Sequence, residues 1–431
     1  MTNTAILVAS GLLLFAYLLD IAGRRYRLPS VVLLIVTGLV GRQVLDRIDV
    51  HLRWVDPIVP IIGTLGLILI VLEGALDLAV TRERMRLIVV SAAAAVGGFV
   101  LTLFPFVLLF HFALGLALPI AALVAIPFAV ISSAVAIPSA AGLPNHPREF
   151  IVYESALSDI VGVLVFYAWL SADDSLGEFA LNLIGGGTGT LVAAVFAALG
   201  LYYLINKVEG HVRFLPLIAG LVCLYAIGKE SHLSPLVLVL VVGLLFNNPH
   251  LLEWNARLKA LHTADYDRTL KEFKGLVAEL TFATKSFFFL LLGYWTDVSA
   301  MADWRAWALA AVVVATIYAT RFALLKALRQ QAAERLVWIA PRGLITVLLF
   351  LTAAETGTLA HFPFGTVMLV VLATATLTAL AHRDRERAPS PSSPSPASPA
   401  PGAAPTDPAS APGATAPTQT HSPTVASAPR P

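Results

Sequence analysis

Apolar residues gather in long runs from Thr4 to about Ala381, separated by short loops that hold most of the charge. A run of roughly 20 apolar residues matches the hydrocarbon core of a bilayer, so each predicts a spanning helix. Thirteen are predicted, at 4–23, 29–41, 57–79, 87–115, 117–141, 149–170, 179–205, 214–228, 233–247, 272–295, 303–327, 334–354 and 363–382. The first lacks a basic leader and a small-residue cleavage site, so it is read as a spanning helix rather than a signal peptide. The second, eighth and ninth are short. Two others are interrupted, the fifth by Ser132-Ser133-Ala134-Val135-Ala136-Ile137-Pro138 and the twelfth by Ala340-Pro341-Arg342-Gly343. Proline removes a backbone donor, and such breaks persist at membrane depth only when buried or lining a cavity. Two breaks seven spans apart point to an inverted repeat whose broken elements meet at a central site.

Composition agrees with this pattern. The chain is 58% apolar and 13% charged, with a mean hydropathy of +0.80; soluble domains carry about 25% charge. The reading is an all-α polytopic membrane protein. The charged loops orient it. With the N-terminus outside, the inner loops hold twenty basic residues, from Arg24, Arg25 and Arg27 to Arg383, Arg385 and Arg387. The outer loops hold five: Arg42, Arg47, Arg53, Lys229 and Arg305. The positive-inside rule therefore predicts N-out, C-in. The membrane part is expected to cover 1–387. The Pro/Ala/Ser-rich remainder, 388–431, cannot bury a core and is expected to be a disordered cytoplasmic tail. The loop from Asn247 to Lys274 is expected to lie along the inner membrane surface, and Cys223, the single cysteine, to pack as a small apolar residue.

Ionisable residues at membrane depth are costly and are functional candidates by default. The sixth span, REFIVYESALSDIVGVLVFYAWL, carries Glu154 and Asp159. At about 100° per residue, Ser155 and Asp159 share one helix face while Glu154 and Ser158 share another. Asp159 beside a hydroxyl is an oxygen-only ligand set for a small hard cation. A carboxylate there holds either a proton or a cation, and that competition couples their movement. A buried guanidinium cannot shed its proton, so Arg321 and Arg342 each demand a carboxylate or carbonyl oxygens. Glu154 with Arg321 reads first as a fixed pair, with direct participation in transport as the other choice. Arg342, next to a proline break, suits the carbonyl end of a half-helix. Glu73, near the inner end of the third span, fits either the site or the interface, Asp77 fits the interface, and Lys285 fits a snorkelling ammonium. There is no P-loop, HExxH, Gly-Asp protease pair or Cys/His cluster, so no enzyme, cofactor or resident metal is expected. The basic loops also have too few aromatics for a nucleic-acid surface.

At these residues the chain resembles the monovalent cation/proton antiporter superfamily, especially its sodium/proton exchanger branch. The likeness runs from about Leu28 to about Leu380 through RLPSVVLLIVTGLVGR, LGLILIVLEGALDL, YESALSDIVGVL, LSPLVLVLVVGLLFNN, KSFFFLLLGYWTD and the Arg-Gly of PRGLITVLL, in that order. The resemblance implies a thirteen-helix antiporter fold with a dimerisation domain and a core in which the fifth and twelfth helices are broken and cross. It implies that Asp159 binds the cation or proton, with Ser155 and Glu73 nearby. It makes Glu154 the partner of Arg321, and Arg342 the basic residue of the second broken helix. It further implies a homodimer working by elevator-like alternating access. Ser132 and Ser133, which with Ala134 stand where the branch has Thr-Asp-Pro, are counted with the cation site; that acid is missing here. Ser158 replaces the Asn before the binding aspartate, and the Asp-Asp pair of the electrogenic branch is absent.

The function expected from these features is electroneutral exchange of a monovalent cation (Na⁺ first, K⁺ or Li⁺ otherwise) for H⁺ across the cell membrane, given one carrier acid, with lipids as the surrounding partner. The competing expectation is a non-transporting sensor on the same scaffold, motivated by the two departures. A channel is disfavoured, since neither a ring of carboxylates nor a carbonyl filter is visible.

Overall fold

Each of the thirteen apolar segments contains helix in the computed structural model, which describes residues 2–26, 29–47, 55–172, 175–207, 214–231, 233, 235–251, 264–330, 333–355 and 362–386. The middle of the loop expected along the inner surface and the tail from 388 onward lie outside the described residues. Helix is what a bilayer demands, because it satisfies backbone donors and acceptors within one segment. The helices are α1 (Thr2–Tyr26), α2 (Ser30–Arg47), α3 (Val55–Asp77), α4 (Met85–Leu114), α5 (Leu118–Ala129), α6 (Ser133–Ser139), α7 (Asn145–Leu170), α8 (Leu176–Leu181) and α9 (Gly187–Lys207). After these come α10 (Phe214–Glu230), α11 (Pro235–Asn247), α12 (Ala264–Trp295), α13 (Val298–Ala302), α14 (Trp304–Ala327), α15 (Ala333–Leu336), α16 (Leu344–Glu355) and α17 (Gly365–Glu386). No strand occurs among the described residues. Among the described residues, six stretches are long and apolar enough to cross a membrane: Met85–Leu114, Leu118–Ser139, Asn145–Leu170, Gly177–Leu204, Tyr266–Trp295 and Trp304–Ala327. The short surface helix α13 was not foreseen, and Cys223 is exposed on α10 rather than packed inside.

Two packing groups emerge. In one, α12 lies along α2 and α3, and α11 packs on α3, α9 and α10. There α2 and α12 meet backbone to backbone: a Cβ on Gly38 would lie 2.1 Å from the Leu290 carbonyl oxygen, and one on Gly293 2.2 Å from that of Ile35. Small residues permit this approach where no hydrophobic force drives helices together. In the other group α4 packs on α5, α7 and α14, and α14 on α17. The fifth segment is broken between α5 and α6, where Val130 is extended at ψ 133°. The twelfth is broken between the four-residue α15 and α16, and α16 packs on α5. Rings of Phe128, Phe350 and Phe362, with centroids 5.0 to 6.2 Å apart, fill the space beside the α5 and α16 segments.

Candidate functional site

Both breaks expose backbone groups in apolar surroundings, and each such group needs a partner. At the first break the three successive amides are met in three ways. Ile131 N–H donates to Ser158 Oγ at 3.0 Å, Ser132 N–H to the Pro341 carbonyl at 3.0 Å, and Ser133 N–H to Asp159 Oδ2 at 3.2 Å. Neighbouring residues of α7 thus hold two of these amides, and the other broken segment holds the third. Ser158, the shorter residue at the amide position, anchors the break through its hydroxyl. A Cβ on Gly343 would come within 2.6 Å of Ser132 Oγ, so only glycine lets the two breaks cross this closely.

At the second break Arg342 is 2% exposed. It donates from Nε to the Phe128 carbonyl at 2.6 Å and from Nη1 to Ala340 at 3.2 Å. Phe128 lies at the end of α5, so the guanidinium faces the carbonyl end of a half-helix. Arg342 N–H donates to Thr374 Oγ1 of α17 at 3.0 Å. Thr378 Oγ1 lies 2.9 Å from the Trp338 carbonyl and donates to it.

Glu154 and Arg321 form a forked pair, with Nη1 to Oε1 at 2.5 Å and Nη2 to Oε2 at 2.8 Å. Their side chains are 1% and 3% exposed. Arg321 Nε completes the set at the Leu336 carbonyl, 3.3 Å away, just before the second break. This fork–fork geometry matches two planar groups and gives each charge a direct partner.

Asp159 is 4% exposed, and its second oxygen, Oδ1, has no hydrogen-bond partner. The residue lines a cavity of about 10 Å³ together with Ser133, Gly74, Val71, Val237 and Leu240. That is room for about one water. A second cavity of about 70 Å³ is bounded by Glu73, Asp77, Thr281 and Lys285, and shares Ile70, Gly74 and Ser133 with the first. Glu73 therefore stands in a charged vestibule next to the Asp159 cavity rather than inside it, facing Thr281 and Lys285 of α12. Lys285 Nζ also lies 5.8 Å from the Phe282 ring centre. Ser155 Oγ donates to the Ile151 carbonyl of its own helix at 2.7 Å, and Ser155 does not line the cavity. Ser133 reaches both cavities. Ser132 Oγ is buried at the crossing without a hydrogen-bond partner. Among the described residues no cluster of three or more His, Cys, Asp or Glu could hold a resident metal.

The threonines of α17 were missed from sequence, as was a clamp at the end of α3. Asn248 accepts from Val80 N–H at 2.6 Å and donates to Leu78 and Leu244, while Asn247 binds Leu78 and Lys274. Tyr153 O–H donates to the Ala79 carbonyl at 2.7 Å from α7. The available signals were Thr374 and Thr378 four apart in an apolar run, and two asparagines ending another.

Residues 10–382 match the sequence model of a family described as sodium/hydrogen exchanger, transmembrane. The fold is similar to that of the sodium proton antiporter MjNhaP1 from Methanocaldococcus jannaschii at pH 8. That match has a TM-score of 0.71 at 17% identity, covering 89% of this chain and 97% of that one. An electron-microscopy structure of the same antiporter gives 0.68 at 19% identity, covering 92% and 100%. Among curated proteins, none matches.

Proposed function

Because this chain belongs to the sodium/hydrogen exchanger family, we propose that it exchanges a monovalent cation for H⁺, with Asp159 as the single carrier. Na⁺ is the first choice of cation, K⁺ or Li⁺ the others. One observation carries the assignment: a buried carboxylate whose Oδ2 is held by Ser133 N–H while Oδ1 has no partner beside a one-water cavity. Such an oxygen accepts a proton or a dehydrated cation, not both, and each displaces the other. Glu154 cancels Arg321 inside the same group of helices, so a 1:1 exchange moves no net charge. Ser133 and Ser132 bring further oxygens to the break, Ser155 lies on the Asp159 side of α7, and Glu73 concentrates cations in the vestibule. The protein works as a homodimer by alternating access in the cell membrane, with its N-terminus outside and C-terminus in the cytoplasm; the loop charges support that orientation.

In proteoliposomes with an imposed pH gradient, adding Na⁺ to wild type should dissipate the gradient, and Asp159→Asn should abolish the response. Dissipation that survives in Asp159→Asn would sink the carrier assignment. The missing acid at Ser132-Ser133-Ala134 motivates one other reading, a sensor that binds cations without moving them. Saturable Na⁺ binding by wild type with no flux would select it.

A further inference from the structure

We propose that Thr374 is a positioning residue of the cation site, acting on Asp159 through both helix breaks; this rests on the antiport reading above. Thr374 is fully buried on α17 and lines neither the Asp159 cavity nor the vestibule. Its hydroxyl proton goes to its own helix, at the Val370 carbonyl 2.8 Å away. Its oxygen is thereby aimed to accept, and it accepts from Arg342 N–H.

That amide is a fixed point of the second break. It belongs to the residue whose guanidinium holds the Phe128 carbonyl at the end of α5. It follows Pro341, which has no N–H, so the Pro341 carbonyl is oriented from the Arg342 side of the peptide. The Pro341 carbonyl in turn accepts from Ser132 N–H, and the next amide, Ser133 N–H, holds Asp159 Oδ2. From Thr374 to the carboxylate the route is five hydrogen-bonded or directly bonded steps, with side chains only at its two ends. Thr378, one turn on, steadies the same extended segment at the Trp338 carbonyl.

Removal of the Thr374 hydroxyl leaves Arg342 N–H unpaired in an apolar setting. An unpaired buried donor costs enough for the peptide to turn toward another acceptor. The turn carries the Pro341 carbonyl away from Ser132 and loosens the 3.2 Å contact that orients Asp159. The effect falls on how well the resting site holds its cation. Movement of the helices, which depends on packing between the two groups, is touched less.

The test is the Na⁺ dependence of exchange by full-length protein in proteoliposomes, for wild type, Thr374→Val, Thr374→Ser and Thr374→Cys. Thr374→Val keeps the shape and removes the acceptor. It should raise the Na⁺ concentration for half-maximal exchange about tenfold, the effect of one lost buried hydrogen bond, with the maximal rate changed far less. Thr374→Ser should restore wild-type behaviour and Thr374→Cys should fall between. An unchanged half-maximal concentration in Thr374→Val, or equal loss of maximal rate in all three variants, overturns the inference. If Thr374→Val does not reach the membrane folded, Thr374→Cys decides: wild-type Na⁺ dependence in that variant also overturns it. Wild type without any cation-driven exchange overturns the antiport reading and this inference together, whereas an active wild type with an unaffected Thr374→Val overturns this inference alone.

Discussion

Arg321 is held at all three of its donor nitrogens, by both Glu154 oxygens and by the Leu336 carbonyl. Neither charge reaches solvent, so each is stable only in the other's presence. Truncating one partner of a buried pair costs about 3–5 kcal/mol, because the remaining charge is left uncompensated. Arg321→Ala should therefore lower the unfolding temperature sharply, and Arg321→Ala/Glu154→Ala should regain part of the loss. A double variant whose loss equals the sum of the Arg321→Ala and Glu154→Ala losses would show that the two groups are not energetically coupled. Asp159 differs in kind, since one of its oxygens is spent and the other is not. Helical spacing could separate the faces of Glu154 and Asp159, because it fixes the direction of each Cβ. It could not say that the Ser155 hydroxyl turns back to Ile151, because a hydroxyl rotor follows local acceptors rather than helix period.

The two broken elements are held by neighbours on every side. Prolines and short helical stretches made the breaks legible in sequence, but their depth of contact was not. Gly343 sets that depth, and Gly343→Ala would place a methyl against Ser132 Oγ and within 3.1 Å of both Ser132 Cβ and Val135 Cγ2. Both neighbours are short and anchored to backbone, so overpacking should cost about 1–3 kcal/mol. The matched comparison is Gly200→Ala on α9, where the added methyl meets nothing within 4 Å. Thermal unfolding in detergent should show a loss for the first and none for the second; equal curves would refute the tight crossing. The threonine and asparagine anchors were hidden for a related reason. They bind main-chain atoms, and a main-chain acceptor leaves no mark in the sequence of the element that supplies it.

At the scale of the whole molecule, the helical membrane class and the two interruptions were legible because apolar run length reflects a bilayer's thickness. The division into two packing groups was not, because lipid-facing and helix-facing positions are equally apolar. The vestibule lies between those groups, with α3 and α12 on one side and α6 on the other. If one proton balances one cation, exchange should be indifferent to membrane potential. A net charge moved per cycle would add about 2.3 kcal/mol per 100 mV. Initial rates measured at clamped potentials of either sign should therefore coincide, and a steep dependence would exclude 1:1 stoichiometry. The crossing itself has a wider meaning. Its amides are satisfied by a carbonyl, two hydroxyls and the Asp159 carboxylate, and by no side chain of Ser132, Ser133 or Ala134. The side chains of Ser133 and Ala134 thus hold none of these amides, while that of Ser132 is confined by its contact with Gly343. Ser133 can therefore change its side chain, which lines both cavities, without removing any hydrogen bond that holds the crossing.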